Sequence, residues 1–353
     1  MKIGILTFQA TNNFGAYLHT IALCKKVTEL GFDSEIIDYK SPELIRRETE
    51  DFKMSLSPRK MIGYLLFGRL LKQKYRVLQN ELREYCILSP EYTPETIKIA
   101  NDRYDSFLLG SDVVWSLRIS DYDYNYFFKF VENGKKINAF SSSVGETDKY
   151  RDDKNLPSLL RRFSKIAVRE EDAIGWVKDI SGMDASYVCD PTMLYSGEEW
   201  ERIITPQKYS AKYILIYFSD PQGKLERDAL QYAQKHNLDV YFIDYGRPRK
   251  DMKVVRPKSL SEFLGLIKYS HALFTASYHG MLFGLYFHKE LFFYNRSLKS
   301  RIDSLARRFG IEDHNGDFFN DSVKPIDYNK VDVKINEFRN YSHNILKEML
   351  LVS

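Results

Sequence analysis

The chain has 353 residues, of which 44% are hydrophobic and 28% charged, and its formal net charge is +4. This length predicts two domains rather than one core, and the composition is that of a globular rather than a disordered protein. The apolar stretches are far shorter than the roughly 20 residues that span a bilayer, the N-terminus lacks the features of a signal peptide, and the mild charge does not require a nucleic-acid partner.

The beginning of the chain is predicted to form a strand, a helix and a second strand. Residues 2–8 are a short apolar run. The residues 11–15, TNNFG, are typical of a turn, and an asparagine there can cap a helix. Apolar residues then recur at helical spacing until Gly31 supplies a stop, and residues 34–38 form the next strand. This order is typical of a parallel sheet.

Four further strands are predicted in the first half, and each is followed by polar residues. They cover residues 104–109, 136–140, 165–168 and 187–189, which lead into Gly-Ser-Asp, three serines, Arg-Glu-Glu and Asp-Pro-Thr respectively. Ser196 and Glu199 then make a capping-box pattern before a helix. The boundary between two domains is therefore predicted near residue 193.

The alternation of strands and helices starts again in the second half. Strands are predicted at residues 213–218, 239–243, 272–276 and 290–294, with helices at 222–236, 259–269, 278–287, 300–309 and 331–351. The fold class is therefore α/β, with two Rossmann-like domains, residues 1–192 and 193–353, that are expected to face a cleft.

Residues 41–85 differ from the rest of the first half because they mix apolar residues with many arginines and lysines. One interpretation is an amphipathic helical insert that covers the first domain. The other is a helix that contacts the membrane surface through anionic lipid, which would make the protein peripheral at the inner face of the membrane.

Ligands of open parallel sheets bind at the carboxyl ends of the strands, beside the N-termini of helices. His279 lies at such a place, because Ser277 can act as the N-cap of the following helix and Gly280 leaves room beside the imidazole. The positive end of the helix dipole there favours a phosphate or carboxylate. A purely structural histidine is the alternative, and the residues alone leave both open.

The other residues that follow strands have equally open interpretations. Arg169 can bind a carboxylate or phosphate, or it can pair with the acidic residues 170–172 that follow it. Asp112 can orient a sugar hydroxyl beside Trp115 as a stacking platform, or cap the next helix. Asn12 and Asn13 can contact a ligand or serve only the turn.

Several familiar motifs are missing from the sequence. There is no HExxH or paired-histidine spacing, and Cys24, Cys86 and Cys189 show no CxxC spacing, so neither a metal site nor a disulfide framework is predicted and a cytoplasmic location is expected. There is no GxGxxG, GxxxxGK[ST] or GxSxG motif, which argues against dinucleotide enzymes, P-loop enzymes and serine hydrolases. No cofactor is therefore expected.

Six stretches, taken together, point to one family. In chain order they are GILTFQATNNFGAYLHTIAL, LLGSDVVW, AFSSSVGE, IAVREED, VCDPTML and TASYHGMLFGLYFHKELFFYNR, and they extend over nearly the whole chain. In this combination the sequence resembles the polysaccharide pyruvyl transferase family. The resemblance implies a GT-B-like fold, no metal requirement, and transfer of the pyruvate group of phosphoenolpyruvate to two hydroxyls of a sugar as a cyclic ketal.

The resemblance also implies roles for individual residues. Arg169 and His279 match the donor-binding pair of the family, and Arg296 is the nearest equivalent of a further basic residue. In some members an arginine stands at the position of Ser277, so the missing charge is expected from Arg296 or Arg301. Ser277 and Gly280 would complete the donor site.

Catalysis and acceptor binding are assigned on the same basis. His279 would protonate the donor or stabilise the departing phosphate, and Asp112 would orient the acceptor hydroxyl. The acceptor, a sugar or a lipid-linked oligosaccharide, is expected to contact five residues, which are Asn12, Asn13, Tyr17, Trp115 and Ser142.

Two other functions fit the same sequence. A GT-B glycosyltransferase that uses a nucleotide sugar would share the two Rossmann-like halves and an anion site at a helix N-terminus. A glycan-binding relative without catalytic activity is favoured by Ser277 in place of arginine.

Overall fold

The computed structural model describes residues 1–49, 67–206, 212–246, 249–295, 299–320 and 323–351. The chain divides into two compact units, each built on one parallel sheet. Among the described residues, the first unit contains 1–49, 79–194 and 336–351, and the second contains 67–78 and 195–335. The prediction of an α/β protein with two such halves is confirmed.

The first unit contains a six-stranded sheet in which all neighbours are parallel, in the order β2-β1-β3-β4-β5-β6. Its strands are β1 Lys2–Leu6, β2 Asp33–Ile36, β3 Ser106–Leu109, β4 Lys136–Ser142, β5 Lys165–Val168 and β6 Ala185–Tyr187. Nearly every residue of β1, β3 and β4 is buried. This burial explains why these strands are apolar without alternation, as expected for a sheet covered on both faces.

Helices connect these strands. They are α1 Phe14–Glu29, α2 Pro42–Thr49, α3 Arg69–Tyr85, α4 Ala100–Arg103, α5 Leu117–Ser120, α6 Leu156–Leu160 and α7 Asp172–Ser181. The first helix begins at the predicted place because Asn13 Oδ1 accepts the backbone N–H of Gly15 at 3.0 Å. This hydrogen bond satisfies one of the amide groups that a helix leaves unpaired at its start.

The described parts of the basic segment 41–85 are largely helical, and residues 50–66 lie outside the described residues. Along α3, Lys74, Leu78, Gln79 and Leu82 are buried at helical spacing. The apolar face of this helix therefore packs inside the protein. Within the described ranges, no helix combines the length and apolarity needed to cross a bilayer.

The second unit contains a five-stranded parallel sheet in the order β11-β10-β7-β8-β9. Its strands are β7 Tyr213–Tyr217, β8 Asp239–Ile243, β9 Lys253–Val255, β10 Ala272–Thr275 and β11 Glu290–Phe293, and its helices are α8 Gly197–Glu201, α9 Lys224–His236, α10 Leu260–Lys268, α11 Tyr278–Tyr286 and α12 Lys299–Phe309. Strand β9 was not predicted from the sequence.

The last helix, α13 Tyr328–Leu351, begins in the second unit and ends in the first. In the first unit, Ser342 Oγ accepts the backbone N–H of Cys189 at 2.8 Å, and Asn138 Nδ2 donates to the carbonyl of Met349 at 3.1 Å. These buried hydrogen bonds explain why residues 336–351 group with the first unit, in contrast to the expected domain of residues 193–353. Residues 67–78 likewise group with the second unit rather than with the first.

Candidate functional site

The carboxyl ends of β3, β5 and β6 bring a buried ionic cluster together in the first unit. We call it the Arg169 cluster, and its members are Arg169, Asp112, Glu170, Asp190 and His19. Arg169 follows β5, and its side chain has no exposed surface. Its Nη1 lies 3.1 Å from Asp190 Oδ2, its Nε 3.3 Å from Glu170 Oε1, and its Nη2 3.8 Å from Asp112 Oδ1.

Three carboxylates thus surround one guanidinium, away from solvent. Ser111 adds a hydroxyl that accepts from Arg169 Nη1 at 3.2 Å and donates to Asp190 Oδ2 at 3.3 Å. The ion pair with Glu170 that was considered from the sequence is present, and Asp190 is a second close partner that the sequence did not indicate. An incoming anion can reach Arg169 only by displacing one of these groups, since the side chain is fully covered.

Asp112 is the most exposed member of the Arg169 cluster, with 14% of its side chain accessible. Its backbone is left-handed, with φ 75°, and Oδ1 accepts the N–H of Val113 at 2.9 Å. Oδ2 lies 3.7 Å from Nε2 of His19. Asp112 does not cap α5, whose N-cap is Ser116, so its carboxylate is held between an arginine and a histidine instead.

His19 was not singled out from the sequence. It lies on α1 with no exposed surface and faces the Asp112 carboxylate. In the sequence, His19 lies within a mostly apolar stretch of the predicted first helix, and nothing in that pattern indicates a functional contact. Only the pairing of β1 with β3, which brings α1 beside the loop after β3, reveals this contact.

Three of the expected acceptor-binding residues are buried and serve the fold. Trp115 is 0% exposed and stacks between Phe127 and Trp176, at centroid distances of 5.7 and 6.2 Å, so it offers no platform to a sugar. The Tyr17 hydroxyl donates to the carbonyl of Thr11 and accepts from Gln79 Nε2. Ser142 is also 0% exposed, and its hydroxyl donates to the carbonyl of Gly110 at 3.0 Å.

The two asparagines of the first loop are partly exposed. Asn13 caps α1, as described above, which was one of its two interpretations. The backbone N–H of Asn12 donates to Glu48 Oε2 at 2.9 Å, and its Oδ1 has no hydrogen-bond partner among the described residues. A ligand contact by Asn12 or Asn13 remains a prediction.

In the second unit, the helix after β10 begins as predicted. Ser277 is the N-cap of α11, and its hydroxyl accepts the N–H of Gly280 at 3.1 Å. Thr275 Oγ1 fixes this turn, because it accepts from the N–H of Ser277 at 3.1 Å and donates to the carbonyl of Tyr217 at 2.6 Å. His279 therefore lies in the first turn, and it is 5% exposed.

Gly280 has a steric role that differs from the predicted one. A Cβ atom there would lie 2.5 Å from Thr275 Oγ1 and 3.0 Å from Cδ1 of Tyr217. Glycine thus allows α11 to approach β7 and β10 closely, rather than leaving room beside the imidazole. Burial raises the pKa of the Tyr217 hydroxyl, which therefore stays protonated near Ser277.

Two basic residues were expected to supply the charge missing at Ser277. Arg296 lies outside the described residues. Arg301 lies on α12 and is partly buried. Across the part of the chain that the structure describes, no group of three or more His, Cys, Asp or Glu side chains is arranged to hold a metal ion.

Comparison with known proteins gives a family and a fold. A family model described as polysaccharide pyruvyl transferase matches residues 13–297. No curated protein sequence gives a significant match.

Solved structures resemble the whole chain at low sequence identity. They include Anabaena Alr3699/HepE in complex with UDP and glucose (TM-score 0.55, 9% identity, 99% of each chain covered) and Methanocaldococcus jannaschii UDP-GlcNAc 2-epimerase in complex with UDP-GlcNAc and UDP (TM-score 0.52, 12% identity, 99% of each chain covered). The MnaA–UDP structure from S. aureus is similar too (TM-score 0.52, 11% identity, 97% of this chain and 90% of that chain covered). These likenesses show the fold alone, and the predicted GT-B-like fold is confirmed.

Proposed function

Because the chain belongs to the polysaccharide pyruvyl transferase family, we propose that it transfers the pyruvate group of phosphoenolpyruvate to two hydroxyls of a sugar. The product is a cyclic ketal on a precursor of a surface polysaccharide or exopolysaccharide, and inorganic phosphate is released. The observation that carries the proposal is the family match over residues 13–297, which includes Asp112, Arg169 and His279.

The donor is proposed to bind at the start of α11. Phosphoenolpyruvate carries a phosphate and a carboxylate on a small frame, so its site needs several positive or N–H groups in one place. The first turn of α11 offers the positive end of a helix and the imidazole of His279. His279 is proposed to stabilise the phosphate as it leaves or to protonate the donor.

The proposed role of Arg169 has a structural condition. Its guanidinium already contacts three carboxylates, and the longest of these contacts is the 3.8 Å approach of Nη2 to Asp112. If Arg169 binds the donor, its contact with Asp112 would therefore be the first to be replaced by a contact with the donor. This would also change the position of the Asp112 carboxylate.

The acceptor is proposed to bind near Asp112, the partly exposed member of the Arg169 cluster. Its carboxylate would orient the attacking hydroxyl and accept its proton. In the proposed order, the methylene carbon of the donor is protonated, the first hydroxyl attacks C2, phosphate departs, and the second hydroxyl closes the ring. Each transfer converts one phosphoenolpyruvate and one diol into one ketal and one phosphate.

A phosphate-release assay with phosphoenolpyruvate and a panel of sugars tests this proposal, with mass spectrometry of the product. We expect phosphate release that depends on one class of acceptor, together with the mass of an added ketal. His279→Ala should lower kcat by about 10²–10³-fold. Near wild-type turnover of His279→Ala with saturating donor would contradict the assignment of His279.

Thermal-shift measurements separate this proposal from the two other functions. A transferase of this kind should be stabilised by phosphoenolpyruvate, a glycosyltransferase by nucleoside diphosphates. A glycan-binding relative would bind sugar and release no phosphate from any donor. Stabilisation by UDP and not by phosphoenolpyruvate would favour the glycosyltransferase.

The proposal also includes a location in the cytoplasm, with contact to the inner face of the membrane if the acceptor is lipid-linked. Its support is the basic character of residues 41–85. Flotation with anionic liposomes tests the contact, and protein that stays at the bottom of the gradient would argue against it.

A further inference from the structure

Two cysteines that are far apart in the sequence lie side by side in the first unit. Cys24 belongs to α1 and is 3% exposed, and Cys86 follows α3 directly and is 6% exposed. Both flank β2, because the sulfur of Cys24 contacts Ser34 and the residue after Cys86 accepts a hydrogen bond from the N–H of Ile36. The sulfur of Cys24 also lies 3.6 Å from the hydroxyl of Ser34 on β2.

Residues next to the two cysteines also contact each other. The segment after α3 pairs with β2, because the N–H of Ile36 donates to the carbonyl of Ile87 and the N–H of Ser89 donates to the carbonyl of Ile36, both at 2.9 Å. On the other side, the ammonium of Lys25 lies 5.9 Å from the ring of Tyr85. The neighbours of Cys24 and Cys86 therefore hold α1 and the end of α3 together.

A surface cavity of about 670 Å³ gives access to Cys86, which lines it together with Asp38, Arg83, Tyr85 and Ser89. Neither the proposed donor site nor the proposed acceptor site uses this cavity. A small oxidant can therefore approach Cys86, and through it Cys24, without entering the proposed active site.

We propose that Cys24 and Cys86 are a redox-modification site that forms a reversible disulfide on exposure to hydrogen peroxide. One thiolate attacks the peroxide and becomes a sulfenic acid, and the second thiol then displaces water to form the S–S bond. Overall, two thiols and one peroxide give one disulfide and two waters, and a thiol reductant reverses the reaction.

The two thiols affect each other's acidity. The neighbouring Cys86 thiol lowers the pKa of Cys24 and outweighs the opposing effect of burial. The same pairing, together with burial, raises the pKa of Cys86. The third cysteine, Cys189, is a matched control, because burial raises the pKa of its thiol to about 12.

The disulfide would tie the end of α3 to α1. These helices already share a contact, since Gln79 Nε2 on α3 donates to the hydroxyl of Tyr17 on α1 at 2.8 Å. The cross-link closes a long loop and removes conformational freedom from the unfolded chain, so oxidation should raise the Tm by about 5–10 °C. The proposal does not depend on the transferase activity.

Peroxide titration followed by alkylation in denaturant and peptide mass spectrometry tests the proposal. We expect a linked peptide pair that contains Cys24 and Cys86, lighter than the two thiol peptides by two hydrogen atoms, with Cys189 still alkylated. Reduction with dithiothreitol should restore all three thiols. The variants Cys24→Ser and Cys86→Ser should lose the peroxide-dependent rise in Tm, and Cys189→Ser should keep it.

Three results would overturn the proposal. They are full alkylation of Cys24 and Cys86 after peroxide treatment, oxidation of either thiol to sulfinic acid without a link, and a link that includes Cys189. Peptide mapping of the wild-type protein decides the question even if a serine variant fails to fold.

Discussion

The backbone of Asp112 is left-handed, and its carboxylate faces Arg169 on one side and His19 on the other. Aspartate tolerates this conformation better than most residues because its short polar side chain can bond locally, here to the N–H of Val113. Backbone strain of this kind persists where the surrounding structure imposes it, often at functional sites. Asp112 is therefore the residue at which the proposed chemistry is tested most directly.

Asp112→Asn should lower kcat by about 10²–10⁴-fold, because an amide cannot accept the proton of the acceptor hydroxyl. The fold should survive, since asparagine tolerates the same backbone conformation. Asp121→Asn is the matched control, because Asp121 is also left-handed, with φ 53°, and is exposed. Steady-state kinetics with saturating donor and acceptor check the effect, and equal kcat for both variants would remove Asp112 from the mechanism.

Glu35 makes stability depend on pH. Burial alone would raise the pKa of this carboxyl, but hydrogen bonds from Arg103, Lys2 and Tyr104 outweigh it and lower the pKa. The distances from these donors to the carboxylate are 2.6, 2.6 and 2.9 Å. A lowered pKa in the folded state stabilises the protein above the unfolded-state pKa, and this contribution disappears as the pH falls through the folded-state pKa.

Glu35→Gln should therefore reduce the free energy of unfolding by about 1–3 kcal/mol at pH 7, and by progressively less as the pH falls through the lowered folded-state pKa. Urea denaturation at pH 7 and at an acid pH below that range measures the difference. Glu43→Gln is the control: Glu43 pairs with Arg46 at the surface, and its replacement should leave stability nearly unchanged. A loss for Glu35→Gln that is the same at both pH values would contradict this account.

At the scale of elements, α11 approaches the second sheet more closely than a side chain at Gly280 would allow. Gly280→Ala should destabilise the protein by about 1–3 kcal/mol, because Thr275 Oγ1 is already hydrogen-bonded to Tyr217 and cannot move away freely. Gly175→Ala on α7 is the matched control. A Cβ there meets nothing within 4 Å, so the better helix propensity of alanine should make this change neutral or stabilising.

Thermal and urea unfolding of the two glycine variants check this prediction. If Gly280→Ala proved as stable as Gly175→Ala, the close approach would not be needed, and Gly280 would instead serve the binding site. Reduced phosphate release by a Gly280→Ala variant of unchanged stability would support that second role.

The helix starts could be predicted from the sequence because capping is local chemistry. Ser196 and Glu199 form the complete capping box that their spacing indicates, and Ser277 caps α11. Strand β9 was not predicted because it has only three residues, at the edge of its sheet, and so short a stretch shows no recognisable hydrophobic alternation. Local signals therefore indicated the longer elements and missed short ones such as β9 and α4.

The candidate site was harder to predict because its contacts depend on strand order. The sequence indicated that Asp112, Arg169 and Asp190 follow strands, which is a local property. It did not indicate that His19 faces Asp112, nor that Trp115 stacks in the core between aromatic rings. An aromatic residue after a strand has the same sequence pattern whether it is exposed or buried, and only tertiary packing decides between them.

At the scale of the whole molecule, α13 completes the first unit from the far end of the chain. Ser342→Ala should lower the free energy of unfolding by about 1–3 kcal/mol, because the buried N–H of Cys189 loses its acceptor. Asn340→Ala, on the exposed side of the same helix, should change stability by less than about 0.5 kcal/mol. Urea unfolding compares the two variants, and equal stabilities would show that this hydrogen bond is not needed for docking.

This return of the chain has a consequence for biosynthesis. A ribosome delivers residues 336–351 after the whole second unit, so the first sheet must wait for those intervening residues before its covering layer is complete. Domain-by-domain folding from the N-terminus, the usual course for multidomain proteins, is therefore closed to this chain. Nascent chains should depend on chaperones until residues 336–351 have emerged, and ribosome-bound chains that end before residue 336 should be sensitive to protease in their N-terminal part.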